Sequence, residues 1–168
     1  MINDNKDTIE IRKILPKDNK VISYIIKSVL TELNYNIKGT AYYDSETDAM
    51  YEAYQTGNAI YYIAILNNEI IGGCGINPLK NGDKTICELQ KMYLLPKSRG
   101  KKIGQLLVLK SLEFAINTGF KKCYLETFPD MQAAINLYHK NGFKKIDKSL
   151  GNTSHYSCDT WMLKDLKK

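Results

Sequence analysis

The chain lacks the features that mark secreted, membrane-spanning or metal-bound proteins. Its four cysteines, Cys74, Cys87, Cys123 and Cys158, are scattered through apolar or strand-like stretches, and no C-x-x-C pair occurs. That spacing argues against a disulfide framework or a metal-ligand set and points to reduced thiols in a cytoplasmic protein; no metal is expected. No apolar run approaches the roughly 20 residues that a bilayer span needs. The first residues, Met-Ile-Asn-Asp-Asn-Lys-Asp, carry no apolar signal core, so no membrane partner is expected. No Pro/Gly/Ser-rich linker or low-complexity run interrupts the pattern, and residues 1–168 are read as a single domain. With 43% hydrophobic content, a chain of this length can bury a core of its own. The net charge of +6 raises the question of nucleic acid. The Lys and Arg residues, however, run from Lys6 to Lys168 without clustering on one helix. No RNA-recognition signature, zinc-finger spacing or basic helix-turn-helix stands out, so no nucleic acid is expected as partner.

What is present is concentrated between Glu88 and Gly104, ELQKMYLLPKSRGKKIG. This stretch has the pattern of a strand ending at Pro96, a tight cationic loop, and the first turn of a helix from Ile103 to about Thr118. The helix carries an apolar stripe of Ile103, Leu106, Leu107, Leu112, Ala115 and Ile116. A strand feeding such a loop into a helix N-terminus builds an anion site, because the first-turn N–H groups are unpaired and the macrodipole favours negative charge. Arg99, Lys101 and Lys102 add full charges, and Gly100 and Gly104 let the backbone approach closely. The expected ligand is a phosphate or pyrophosphate. It is not held by a nucleoside-triphosphate P-loop, since G-x-x-x-x-G-K-[ST] is missing. The second glycine cluster, Gly72-Gly73-Cys74-Gly75, runs into Asn77-Pro78, which suits a strand end and not a dinucleotide fingerprint.

The flanking order is regular. Thr8–Ile14 alternates as a first strand, and Pro16 or Asp18 opens a helix to about Leu33 that buries Val21, Ile22, Ile25, Ile26, Val29 and Leu30. Asp44 or Ser45 starts a second helix ending near Gly57. Ala59–Leu66 and Glu69–Ile76 form a hairpin across Asn67-Asn68. Two helices exit through the same Gly-Phe-Lys-Lys, at Gly119 and Gly142, where glycine takes the left-handed conformation and phenylalanine packs back. Cys123–Thr127 is the strand between them. Pro129 ends it, and Asp130 caps a helix carrying Ala133, Ala134, Leu137 and Tyr138. One crossover helix joins the strands on either side of it, so those two strands are parallel. Tyr156–Leu166 is the last strand, with Trp161 in the core. The order is β-α-α-β-β-β-α-β-α-β-β, an α/β fold with a mixed sheet and helices on both faces.

Arg99-Gly100-Lys101-Lys102-Ile103-Gly104 fits R/Q-x-x-G-x-G/A, and Ala134-Ile135-Asn136-Leu137-Tyr138 runs on to Gly142-Phe143. On these residues and the element order, over about residues 8 to 166, the chain resembles the GCN5-related N-acetyltransferases. The resemblance implies that the loop binds the pyrophosphate of acetyl-CoA. It implies central parallel strands that splay apart, with the pantetheine arm in the gap against the backbone of Met92, Tyr93 and Leu94. Lys102 stands where the family usually has glycine, which requires ordinary helical φ there. Met131 stands where the family often has asparagine. Acetyl transfer to an amine needs a base to take its proton and an acid to meet the thiolate. By the family's spacing, Glu88 or Glu126 is the base, unless an ordered water serves, and Tyr138 is the acid. In that family the loop between the first two helices and the loop before the last strand, here Leu150 to His155, usually shape the acceptor pocket, and Tyr35, Tyr42 and Tyr43 of the first are its candidate aromatic wall. His155, in the loop before the last strand, has no carboxylate or cysteine at metal spacing and is read as a loop residue. No G-x-S-x-G nucleophile motif occurs, so direct transfer to a primary amine of a small molecule or peptide is expected. A non-catalytic acyl-CoA sensor is the alternative, and a homodimer is an assembly common among relatives.

Overall fold

The computed structural model describes residues 7–167. One seven-stranded sheet organises them: β1 (Ile9–Lys13), β2 (Ile60–Leu66), β3 (Glu69–Pro78), β4 (Ile86–Leu94), β5 (Lys122–Thr127), β6 (Lys144–Ile146) and β7 (Thr160–Asp165), in the order β1-β2-β3-β4-β5-β7-β6. The helices are α1 (Asn19–Glu32), α2 (Met50–Ala53), α3 (Ile103–Thr118) and α4 (Gln132–Lys140). The element order agrees with the one read from the sequence. The β4–β5 pair is parallel, while the other neighbouring strands run antiparallel.

Local chemistry explains most boundaries. Asn67 and Asn68 take φ of 50° and 67°, the pair of left-handed residues that a two-residue hairpin requires. Gly119 ends α3 at φ 97°, and the Phe120 amide donates to the Ala115 carbonyl at 3.1 Å, so the buried ring folds back on its own helix. The α3 core cluster (Ile103, Leu107, Val108, Leu112, Ala115) packs against Cys74, Ile76, Cys87 and Leu89 of the central strands. On the opposite face Ile22, Ile26 and Leu30 of α1 pack with Met50, Tyr54, Tyr61 and Ile63.

Several expectations fail for identifiable reasons. Val21 and Leu106 are exposed rather than buried, because the inward faces are completed by Ser23 and by Val108 and Ser111. The expected second helix is broken into a 3-10 turn at Ser45–Asp48 and the single turn of α2. Thr47 turns its hydroxyl to the Ala41 carbonyl (2.6 Å), and Ala49 leaves helical geometry at φ −135°, ψ 49°. Asp130 does not cap α4; its carboxylate accepts the Tyr35 hydroxyl, and the helix begins at Gln132. Ala133 points to solvent. The last strand starts at Thr160, because Ser157 is tied to the loop after α1, its hydroxyl donating to the Lys38 carbonyl at 2.7 Å.

Gly73 and Gly75 of β3 sit beneath two tyrosine rings. A Cβ on Gly75 would lie 2.6 Å from the Tyr54 ring, and one on Gly73 2.5 Å from the Tyr61 ring. Gly75→Ala should therefore lower stability by about 1–3 kcal/mol, the cost of overpacking. Thermal unfolding of the variant checks this, and an unchanged midpoint would show that Tyr54 relocates freely.

Candidate active site

The loop between β4 and α3 has the expected form. Pro96–Ser98 make a 3-10 turn, and Gly100 follows at φ 76° with open space where a Cβ would stand. The amides of Lys102, Ile103, Gly104 and Gln105 meet no backbone carbonyl among the described residues, leaving a row of donors at the helix mouth. A Cβ on Gly104 would come within 3.2 Å of Leu137 and of Met92, so glycine here sets how closely α3 approaches β4 and α4. Arg99 and Lys101 already have carboxylate partners, Glu32 at 3.4 Å and Asp7. Lys102 departs from expectation: its φ is 59°, left-handed, not helical. A lysine there bears a Cβ clash of about 1–2 kcal/mol that glycine escapes. Lys102→Gly should accordingly raise unfolding stability by about 1 kcal/mol, read in a denaturant titration. A lower stability would mean that the lysine side chain contributes more than its backbone costs.

Next to the loop, β4 and β5 part. Their pairing runs Ile86↔Lys122, Cys87↔Cys123, Glu88↔Tyr124 and stops there, although β4 continues to Leu94. A bulge adds to the divergence. The β3–β4 register shifts between Gly73 and Gly75, and Lys91 takes φ 47° with its carbonyl accepting the Tyr61 hydroxyl at 2.9 Å. Met92, Tyr93 and Leu94 lie half-buried beyond the bulge. Tyr138, on α4, packs edge-on against Phe143, and its hydroxyl reaches the Met92 sulfur at 3.7 Å. Burial first, then the neighbouring thiols Cys74 and Cys123, holds the Tyr138 pKa well above the ordinary phenol value. Met131 meets the Thr127 hydroxyl at 3.7 Å through its sulfur.

Where the strands begin to part, Glu88 and Gln90 of β4 and Tyr124 and Glu126 of β5 share one face by the two-residue alternation. Glu88, Gln90 and Glu126 open into a cavity of about 40 Å³ that Lys91, His155 and Cys158 also line, among others. Glu88 is 2% exposed and accepts from the Gln90 amide at 2.6 Å. Gln90 in turn accepts from Tyr54 at 3.0 Å. Desolvation, with a smaller push from the Glu126 charge, raises the Glu88 pKa to about 7 against the pull of Gln90, His155 and Lys91. Glu126 has both oxygens engaged, by the hydroxyls of Tyr124 and Thr153, each at 2.7 Å.

The sequence reading missed three contributors. Lys91, its side chain 2% exposed, pairs with Asp44 at 2.9 Å. Asp44 also accepts His155 Nε2 at 2.8 Å. Burial disfavours the Asp44 carboxylate, but the His155 hydrogen bond and the Lys91 charge hold its pKa at about 2. Burial likewise opposes the His155 imidazolium, and Asp44 outweighs it, leaving that pKa above its ordinary value. His155 is thus not a plain loop residue. The fold brings one donor atom each from Glu88, Glu126 and His155 within 4.8 Å of one another, close enough to hold a cation or a metal ion. A lysine within an apolar strand was the one available signal for Lys91; nothing in the sequence pairs Asp44 with His155.

The predicted aromatic wall is placed differently. Tyr35 and Tyr42 pack against the core on the α1 side, and Tyr43 is 60% exposed. None of the three lines the cavity; Tyr35 stacks on Phe128, ring centroids 3.6 Å apart, and Phe128 does line it. Tyr138 lies outside this lining, four residues farther along β4 at Met92.

Known proteins resemble the chain in sequence and in fold. The acetyltransferase (GNAT) family matches residues 28–143. An uncharacterized N-acetyltransferase of Escherichia coli K12, YjgM, is 40% identical over 156 residues, covering 92% of this chain and 93% of that protein. A GNAT-family acetyltransferase from Staphylococcus aureus Mu50 superposes with a TM-score of 0.84 at 22% identity, over 95% of this chain and all of that one. The Salmonella typhimurium protein yncA, solved with its cofactor acetyl-CoA, gives 0.77 at 20% identity over 95% of both chains. With most of its length matched by the family and by a relative of this identity, the chain belongs to the GNAT family of N-acetyltransferases.

Proposed function

We propose that the protein moves the acetyl group of acetyl-CoA directly to a primary amine of a small molecule or peptide. The observation that carries this reading is a buried carboxylate, Glu88, with a pKa of about 7, in a cavity where two parallel strands diverge beside a helix mouth of unpaired amides. The unpaired amides from Lys102 to Gln105, the open side of Gly100, and Arg99 and Lys101 fit a diphosphate. The gap beyond the β4 bulge, edged by Met92, Tyr93 and Leu94, fits an extended arm leading from it.

Acetyl-CoA supplies a thioester carbonyl and a leaving thiolate. The residues supply proton management. An alkylamine is mostly protonated at neutral pH and must lose a proton before attack, and a base poised near pH 7 does this best. Glu88 fits that role: one oxygen is held by Gln90, and the other takes no hydrogen bond among the described residues. Glu126 is the weaker choice, since both its oxygens are engaged. Tyr138, with its raised pKa, keeps its proton until a strong base such as a thiolate forms beside it. Cys158 does not compete as nucleophile, because burial and the surrounding carboxylates raise its thiol to about 12.

Calorimetry with coenzyme A and thiol release from acetyl-CoA over an amine panel test the reading. Heat of binding and release with at least one amine are expected. Binding without turnover across a broad panel would favour an acyl-CoA sensor, and no binding would end both.

A further inference from the structure

A protonated primary amine must break two N–H bonds on its way to an amide, and a single carboxylate provides for one of them. We infer that His155, keyed by Asp44, is the second proton acceptor and touches the acceptor nitrogen through Nδ1. This rests on the cavity being the acceptor site of the proposed transfer.

The tautomer follows from the hydrogen bond. Asp44 is ionised, so its carboxylate only accepts, and the 2.8 Å contact requires that His155 Nε2 carry the hydrogen. In the neutral ring Nδ1 is then a bare acceptor, 3.9 Å from Glu126 Oε2. Glu88, 2% exposed, keeps one oxygen without a hydrogen-bond partner among the described residues while lining the same cavity. Acceptor atoms about 2.8–2.9 Å from one tetrahedral nitrogen stand roughly 4.6 Å apart. The donor atoms of Glu88, Glu126 and His155 all lie within 4.8 Å of one another, so a single ammonium nitrogen can reach all three.

The protons balance as follows. An N–H bond of the ammonium breaks toward the free oxygen of Glu88. The freed lone pair forms the C–N bond to the thioester carbonyl carbon. The C–S bond breaks with its electron pair passing to sulfur, which takes a proton from Tyr138. The nitrogen's second proton passes to Nδ1 of His155, and the resulting imidazolium lies between Asp44 and Glu126. Of the two protons lost by nitrogen, one replaces that of Tyr138 and the other goes to solvent. The groups facing His155 are Asp44, Glu88 and Lys91 of β4, Glu126 of β5, and Cys158 of its own loop.

The test uses the first amine of the panel that turns over. Below neutrality, log kcat/KM against pH should fall one proton less steeply in His155→Gln than in the wild type. At pH 8 the variant should be slower by about 10²-fold. The coenzyme A affinity and thermal midpoint of the variant establish that it is folded. An unchanged slope in a folded, active variant overturns the role of His155 and leaves the transferase reading standing; absence of turnover over the whole panel sinks both. The wild type gives a second readout, because the chain holds only two histidines. Nitrogen-15 NMR of the labelled rings should find His155 as the Nε2–H tautomer above its pKa, and an Nδ1–H tautomer would refute the inference.

Discussion

Glu88→Gln is expected to slow acetyl transfer by about 10²–10⁴-fold and, at pH 8, to make the protein more stable. Both effects come from one cause. Burial raises the folded-state pKa of this carboxyl from 4.5 to about 7, so the folded protein holds a proton that the unfolded chain has released. Stability from the neutral acid is complete below pH 4.5 and is lost as the pH rises through 7. That difference corresponds to roughly 3 kcal/mol at one pKa unit per 1.36 kcal/mol. Glutamine keeps the shape and can still accept from Gln90, yet never has to ionise. Thermal unfolding of the two proteins should therefore nearly coincide at pH 4.5 and separate at pH 8, with the variant higher by several degrees. Lower stability of the variant at pH 8 would mean that the charge of Glu88 does not strain the fold, and full turnover would mean that Glu88 is not the base. Glu126→Gln, assayed alongside, separates the two carboxylates: only the variant that lacks the true base should show an acidic limb of the kcat/KM profile one proton less steep than the wild type's.

Tyr138→Phe should lower kcat by about 10- to 1000-fold with little change in coenzyme A affinity. The hydroxyl's one polar contact among the described residues is the Met92 sulfur at 3.7 Å, while the ring stays packed on Phe143. Removing the oxygen thus takes away a proton donor and almost no packing. Steady-state kinetics paired with calorimetry reads both quantities. An unchanged kcat would remove Tyr138 from the chemistry and leave it as a core residue.

Local signals made most of the fold legible. The limits of α3, Ile103 to Thr118, follow from the loop glycines before it and Gly119 after it, and the parallel β4–β5 pair follows from the single crossover helix. Glu88 and Glu126 are candidates through the resemblance to the family, whose spacing they match, and the sheet brings them to one cavity. What the sequence could not convey depends on distant or strained geometry. His155 and Asp44 are 111 residues apart, and their contact exists only once the sheet has formed. The second helix looked continuous because propensity cannot register that Asp44 and Glu46 turn toward Lys91. Lys91 reaches them from a bulge with positive φ, which no alternation pattern announces. Lys102 was expected to sit in ordinary helical geometry, since nothing in its identity betrays a left-handed backbone.

The counter-ions of the cationic loop bear on which anions it admits. Glu32 and Asp7 already partly neutralise Arg99 and Lys101, so an incoming phosphate shares each charge with a resident carboxylate or takes it in exchange. A generic polyanion sliding over the surface would recover little from that exchange, despite the overall excess of positive charge. A ligand that also fills the helix mouth and threads between the separating strands recovers far more, and so the loop discriminates by shape against chains that offer charge alone.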